Sequence, residues 1–361
     1  MRLVDAMQFP RLKYENILHW LQETDEARLD GLWREADAVR EQAVGNEVHL
    51  RGLIEISNYC VRSCMYCGLR APNRDLPRYR MTETEIMESV DKAVRYGYGT
   101  VVMQGGEDYG ISTELMAHIV RRIKRETPLA VTLSLGERGE DELRTWRLAG
   151  ADRYLLRFET SDAELYARIH PSLPGQHSDR IALLRAIKSL GYETGGGVMA
   201  GVPGQTYASL AKDIETFGEL DLDMIGVGPY IPHPLTPLGS GNIAISAKPE
   251  DQVPNSALMA CKAIALARLI CPEANIPSTT ALATLDRNTG HEMGLRRGAN
   301  VIMPNLTPPR YRTLYEVYPD KGAIDADSSE GRERLLLRIT ALGRTVGAGP
   351  GGRLCRMTAN T

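Results

Sequence analysis

The 361-residue chain has little charge imbalance: 43 Lys and Arg stand against 46 Asp and Glu, a net charge of -3, and the basic residues are scattered. Nucleic acid is therefore not expected as a partner, because phosphate backbones select basic patches. No stretch reaches the ~18 consecutive apolar residues of a membrane span, so no membrane association is expected. Met1 to Tyr14 mix charges with a proline and contain no apolar h-region, so no signal peptide is expected. With only six cysteines and no secretory signal, a disulfide framework is not expected either, and a cytoplasmic location is. There is no low-complexity linker, no internal repeat and no Gly-x-Gly-x-x-Gly after the first strand-like run, which argues against a dinucleotide-binding Rossmann unit.

Hydrophobic residues make up 43% of the chain, ample for a large core. Residues 1–45 carry apolar residues at helical spacing (Ile17, Leu18, Leu21; Leu29, Leu32, Ala36, Val39) and stop at Gly45. From residue 48 the pattern alternates. Short apolar runs at 50–56, 99–103, 129–135, 153–157, 194–200, 223–228, 275–278 and 299–303 are separated by amphipathic stretches of helix length. Thr82-x-x-Glu85 forms a capping box, and Gly97, Gly150 and Gly191 punctuate helix ends. Eight such units predict an α/β fold, a single (βα)8 TIM-type barrel, with an open doubly wound sheet as runner-up. The expected organisation is an N-terminal helical extension (1–45), the barrel (46–315) and a C-terminal helical tail (316–361).

Three of the six cysteines fall within eight residues. Cys60, Cys64 and Cys67 follow the first strand as Cys-x3-Cys-x2-Cys. A structural zinc site needs four ligands, usually as Cys-x2-Cys pairs, and after His49, itself inside a strand-like run, no histidine appears until His118. Three thiolates suit three irons of a 4Fe-4S cube whose fourth iron stays open for a ligand, and an incomplete ligand set points to catalysis rather than electron storage. Cys261, Cys271 and Cys355 are scattered and read as small buried hydrophobes.

In a barrel the site lies at the C-terminal ends of the strands. Strand two ends in Gln104-Gly105-Gly106-Glu107, strand three in Ser134 to Glu137, and strand four in Arg157-Phe158-Glu159. Arg157 and Glu159 cannot enter a barrel interior unpaired. They read either as an internal ion pair or as a guanidinium for an anion and a carboxylate for an amine. Arg180 opens the next helix, where arginines are usually solvated. Gly195 to Gly204 imply close approach of a ligand or of a neighbouring strand. His233, between two prolines, reads as structural. Arg51 is a charge early in strand one. Glu55, further along the same face, is its main candidate partner.

The cysteine spacing, with Tyr66 just before the last cysteine, resembles the radical S-adenosylmethionine (SAM) superfamily. Longer strings, among them GNEVHLRGLIEISNYC, CMYCGLR, VTLSLGE, LGYETGGGVMAGVPGQT, IGVGPYIPHPLTPL and RRGANVIMPNLTPPRYR, resemble the radical SAM maturases of FeFe-hydrogenase, the HydE family, over about residues 46–315. The resemblance implies a (βα)8 barrel around a cavity, one 4Fe-4S cluster on Cys60, Cys64 and Cys67, and reductive cleavage of SAM to a 5'-deoxyadenosyl radical. It implies SAM contacts at Tyr66, Gln104, Gly105, Gly106, Ser134, Glu159, Arg180 and Met199, and substrate contacts at Arg51, Arg157, Thr279 and Thr280. It implies a small-molecule or small iron-complex substrate, an electron donor such as ferredoxin or flavodoxin, and other hydrogenase maturases as partners.

Two departures matter. Residues 311–329, where some family members place cysteines for an accessory cluster, contain none, so a second cluster is not expected. Phe158 stands where the family typically has histidine. The alternative enzymes are a biotin-synthase-like sulfur inserter and a methylornithine-synthase-like mutase. Outside enzymes, the alternative is a non-catalytic Fe-S carrier, against which the Gly-Gly-Glu turn and the charged strand ends argue.

Overall fold

The computed structural model describes residues 12–243, 245, 247–321 and 329–353. Two helices, α1 (Tyr14–Gln22) and α2 (Glu26–Val44), precede the first strand, β1 (Glu47–Ser57). Helix and strand then alternate through α3 (Glu83–Arg95), β2 (Thr100–Gly105), α4 (Thr113–Glu126), β3 (Ala130–Ser134), α5 (Glu140–Leu148) and β4 (Arg153–Leu155). Two helices, α6 (Ala163–Ile169) and α7 (Arg180–Ser189), lead to β5 (Glu193–Ala200), α8 (Tyr207–Glu219) and β6 (Met224–Pro229). The chain continues through α9 (Ala257–Ile270), α10 (Thr280–Leu285), α11 (Gly290–Leu295), β7 (Val301–Ile302), α12 (Pro309–Arg312), α13 (Ser329–Ala341) and β8 (Thr345–Val346).

Local signals set these boundaries. The Thr82–Glu85 capping box is made in both directions at the start of α3. Gly97, Gly150 and Gly191 take φ of 69°, 109° and 86°, a region where a side chain is disfavoured, so each stops its helix. The strands are parallel and pair in the order β6-β5-β4-β3-β2-β1-β7, with the helices outside, as in a TIM-type α/β fold.

The closing edge differs from the expectation. The run 275–278 forms no continuous strand. It joins β6 and β7 through two bridges, Met224 with Asn275 and Pro277 with Val301. Pro277 has no N–H to offer, which limits the ladder to single links. A short strand that the sequence did not announce, β8, comes from the Gly-rich tail and pairs with the start of β1.

Beyond β8 the tail runs beneath the barrel. The Pro350 carbonyl accepts from Thr100 Oγ1 at 2.9 Å and Arg153 Nη2 at 3.0 Å. The Gly351 carbonyl accepts from Arg51 Nη2 at 3.0 Å and Asn275 Nδ2 at 3.1 Å. The N-terminal end of the barrel is thereby stoppered, and a ligand site belongs at the other end. The first two helices cover α8 and α9. Every residue of α9 from Met259 to Ile270 is buried, and Lys262 crosses to the carbonyl of Leu21 at 2.8 Å, where a cation suits the C-terminal end of α1. Cys261 is buried on the same helix, as a small hydrophobe should be; Cys271, at the end of that helix, is only half-buried against the core, contrary to expectation, and Cys355 lies outside the described residues.

Candidate active site

The loop after β1 has no regular structure, so its shape comes from bonds to its surroundings. Val61 N donates to the Glu107 carbonyl at 3.0 Å, Met65 N to Ile169 O at 2.8 Å and Gly68 N to Val317 O at 3.0 Å. Arg78 knits the loop from inside, donating to the carbonyls of Asn58, Leu69, Arg70 and Asn73. This role was invisible in sequence, because the acceptors are main-chain atoms. Cys60, Cys64 and Cys67 all line one pocket at the C-terminal end of the barrel. Burial pushes all three thiols up, Cys67 to about 12, and neighbouring cysteine sulfurs add to the rise at Cys64 and Cys67. Among the described residues, no three His, Cys, Asp or Glu side chains are grouped to hold a single metal ion. Three thiols lining one pocket suit a cluster, in which each sulfur meets a different iron.

The turn after β2 packs directly on this loop. Gln104, Gly105 and Gly106 line the pocket, and the Gln104 amide donates to Tyr315 Oη at 3.2 Å. A Cβ on Gly106 would lie 2.1 Å from Tyr59 O and 2.9 Å from Cys60 Cβ, whereas at Gly105 the nearest atom is 3.4 Å away. Gly106→Ala is therefore expected to displace the cysteine loop, costing ~1–3 kcal/mol by overpacking, and to lower iron incorporation, while Gly105→Ala retains both. Thermal melts with an iron assay check the pair; equal behaviour of the two variants would refute the packing argument.

Glu137, just past Ser134 of β3, is a hub. Its carboxylate receives Ser178 Oγ at 2.7 Å, Arg180 Nε at 2.9 Å and Arg62 Nη2 at 2.8 Å. Burial opposes ionisation, but Arg180 and Ser178, which both donate to it, hold the carboxyl well below the usual range. Arg62 also bonds Glu107 at 2.6 Å. Arg180 is not a solvated helix residue. It lines the pocket with Ser134 and donates to Arg157 O at 2.7 Å. His170 lies 1% exposed at the end of α6, its Nδ1 3.0 Å from Cys64 Sγ and 3.3 Å from Tyr66 Oη. Burial and the Arg180 guanidinium push this ring down to about 4. Neither Glu137 nor His170 carried a local sequence signal that tied it to the cysteines.

Glu159 sits at φ 65°, a left-handed conformation rare outside glycine. Bonds on both sides hold it: its N donates to Gly197 O at 3.0 Å, and Asp213 anchors the next turn through Ser161 N at 2.5 Å and Thr160 Oγ1 at 3.2 Å. Burial pushes the Asp213 carboxyl up to about 6. Arg157 Nη2 is 3.2 Å from Glu159 Oε2, so the ion pair is made. Yet that buried Oε2 has no hydrogen bond, and neither has Arg157 Nε. Both residues line the pocket. Between them, Phe158 turns away and packs edge-on against Phe217 of α8, ring centroids 5.8 Å apart. Phe158 is therefore not part of this pocket's lining.

Tyr66 and Met199 complete an apolar side of the pocket with Tyr230. The strand glycines before Met199 serve neighbours rather than a ligand: a Cβ on Gly197 would lie 2.1 Å from Gly226 O. Thr279 and Thr280 are not among the residues lining the pocket, although Ala281, the residue after Thr280, is; Thr279 Oγ1 instead caps α10. Arg51 is not brought to this site. It lies at the stoppered end of the barrel, against Gly351 O and Met224 Sδ, because its register pairs it with Thr100 at the start of β2. Glu55 does not pair with it either. Lys321 from the tail reaches Glu55, which also accepts from Asn305 Nδ2 at 3.1 Å. His233 is buried and accepts from Leu235 N at 3.1 Å, a structural role.

Residues 54–217 match the model of the radical SAM superfamily. The chain is 43% identical to "[FeFe] hydrogenase maturase subunit HydE" of Thermotoga maritima, over 90% of this chain and 89% of that one. It is 31% identical to 3-methylornithine synthase of Methanosarcina acetivorans, over 77% of this chain and 75% of that one. Among solved structures, methylornithine synthase (PylB) superposes with a TM-score of 0.78 at 26% identity, over 97% of this chain and 96% of that one. HydG, a maturase of the [FeFe]-hydrogenase, shares the fold at a TM-score of 0.74 and 19% identity, over 93% of this chain and 72% of that one. With such identity along nine-tenths of its length, and a cysteine loop, Gly-Gly-Glu turn and strand-four carboxylate converging on one pocket, this chain is an enzyme of the radical SAM superfamily and belongs to its HydE family.

Proposed function

We propose that this enzyme holds one 4Fe-4S cluster on Cys60, Cys64 and Cys67, cleaves SAM reductively, and acts in assembly of the FeFe-hydrogenase H-cluster. The observation that carries the reading is one pocket lined both by three cysteines, Cys60, Cys64 and Cys67, and by Glu159, whose Oε2 lies beside Arg157 but has no hydrogen bond. A buried acceptor left open costs free energy unless a ligand donates to it, and an ammonium is the matching donor. When bound, the reduced cluster supplies the electron that splits SAM into methionine and a 5'-deoxyadenosyl radical.

The chain's own residues have distinct tasks. Glu159 receives the SAM ammonium, helped by the main-chain carbonyls of Gly105 and Gly106. Gln104, Ser134 and Arg180 hold the carboxylate and ribose end. Tyr66 and Met199 form an apolar bed for the base and exclude water from the reacting carbon. Arg157, which lines the pocket, receives an anionic group of a small-molecule or small iron-complex substrate, with Thr279 and Thr280 alongside Ala281. A low-potential one-electron donor such as ferredoxin or flavodoxin is required, and other hydrogenase maturases are its proposed partners. In this reading residues 46–315 form the catalytic barrel, preceded by the extension 1–45, whose helices α1 and α2 cover it, and followed by the tail 316–361. The second reading is a mutase on another small substrate, which the likeness to methylornithine synthase favours.

Anaerobic protein incubated with dithionite and SAM is expected to release methionine and 5'-deoxyadenosine, and to restore hydrogenase activity in a maturation mixture lacking its HydE. SAM cleavage without restoration, with 3-methylornithine among the products, would establish the second reading. Iron without SAM cleavage would indicate a carrier.

A further inference from the structure

Among the described residues around the cysteine pocket, one polar side chain touches a cysteine sulfur without belonging to the proposed ligand or SAM sets. We infer that His170 is a positioning residue for the cluster: it donates Nδ1–H to Cys64 Sγ, orients that thiolate and raises the reduction potential of the cluster bound there. The inference rests on the cluster reading above and deepens it.

The contact is built rather than incidental. Met65 N bonds Ile169 O at 2.8 Å, which fastens the cysteine loop to the end of α6 one residue before the histidine. The ring is held between Tyr166, at 5.1 Å and 27°, and Tyr66, at 6.4 Å and 28°. Tyr166 Oη is bonded to Ser178 Oγ at 2.7 Å, and Ser178 donates to Glu137. The ring's other nitrogen, Nε2, is 3.5 Å from Glu137 Oε1. Two arginines already neutralise that carboxylate. The imidazole is therefore fixed in plane and in tilt before any cluster arrives.

The donor follows from the ligand's chemistry. A cysteine bound to iron is a thiolate and carries no proton, so a bond between Cys64 Sγ and Nδ1 requires the hydrogen on Nδ1. Nε2, 3.5 Å from Glu137 Oε1, makes no hydrogen bond that would fix the ring's proton on that side. Hydrogen bonds to cluster sulfurs draw electron density from them and favour the more negative, reduced state. Ligand-orienting groups of this kind also fix ligand geometry and tune the metal. A buried cluster that must be reduced before it can act gains directly from such a donor.

The test uses three full-length proteins, reconstituted anaerobically: wild type, His170→Leu and His170→Asn. The asparagine amide nitrogen falls near the position of Nδ1 and keeps one donor; leucine keeps only bulk. The readouts are iron content, the midpoint potential from an EPR-monitored redox titration, and 15N couplings to the reduced cluster in protein labelled with 15N-histidine. Expected are a histidine 15N coupling in wild type that His170→Leu abolishes, a midpoint shifted to more negative potential in His170→Leu, and its return towards wild type in His170→Asn. A wild-type midpoint in His170→Leu overturns the inference, as does a histidine coupling that persists there. If His170→Leu fails to hold iron, the couplings of the wild type and the midpoint of His170→Asn decide: no coupling, or a displaced midpoint in His170→Asn, overturns it. Absence of a cluster from the wild type itself would instead defeat the functional reading.

Discussion

Alanine at any one of Cys60, Cys64 and Cys67 is expected to remove the cluster, so that iron after anaerobic reconstitution falls from about four per chain to near zero. The effect is all-or-none for a physical reason. In the proposed site each thiolate completes the coordination of a different iron, so none of the three is redundant. Cys64 is buried and Cys60 and Cys67 are half-buried, and burial pushes all three thiols up, so they would gain charge only as iron binds. Losing one leaves two sulfurs and an open, solvent-attackable edge. Cys261→Ala is the matched control. That thiol is buried in α9 among core side chains, and its loss should cost stability without costing iron. A variant lacking Cys64 that still bound about four irons would refute the ligand assignment, and about eight irons in the wild type would reveal a second site.

Glu159 carries the second large expectation, because one residue combines backbone strain with an unsatisfied oxygen. Glu159→Gln keeps shape and removes charge. A charge-assisted hydrogen bond contributes about 1.5–3 kcal/mol, so SAM affinity should weaken roughly tenfold to a hundredfold. Glu159→Gly separates the strain from the binding. Relief of a left-handed conformation by glycine is worth up to ~1–2 kcal/mol, so the glycine variant should melt no lower than wild type without SAM, yet bind SAM at least as poorly as the glutamine variant. Arg157 tolerates the loss of its partner because its side chain is 34% exposed. Equilibrium binding and thermal melts on the same preparations give the answer. Unchanged SAM affinity in Glu159→Gln would reduce Glu159 to the internal partner of Arg157, the other reading its sequence position allowed.

Both experiments address residues that were legible in the chain. Cysteine spacing is read directly, because ligand type and separation within one loop leave little for the fold to decide. Glu159 and Arg157 stood out because charge at the end of an apolar run has to be accounted for. Arg51 showed the same signal and ends at the opposite, stoppered end of the barrel. Side-chain alternation tells which face of a strand a residue occupies. Its depth along the barrel follows from register, here Arg51 beside Thr100.

The sequence by itself determined the local physics. It determined the order of the first six strands and their helices through the period of apolar residues, the helix ends through Thr82, Glu85 and the positive-φ glycines, and the three-thiol loop, but neither the broken run at 275–278 nor β8. Tertiary structure alone decided which distant groups meet. It brought Glu137, Arg62, Arg180 and His170 into one network, gave Glu55 to Lys321, turned Phe158 onto Phe217 and slid the tail under the barrel. These pairings join residues many positions apart and are held by burial, where a charge or a buried donor must find its partner wherever the packed chain places one. No local pattern encodes that partner's address.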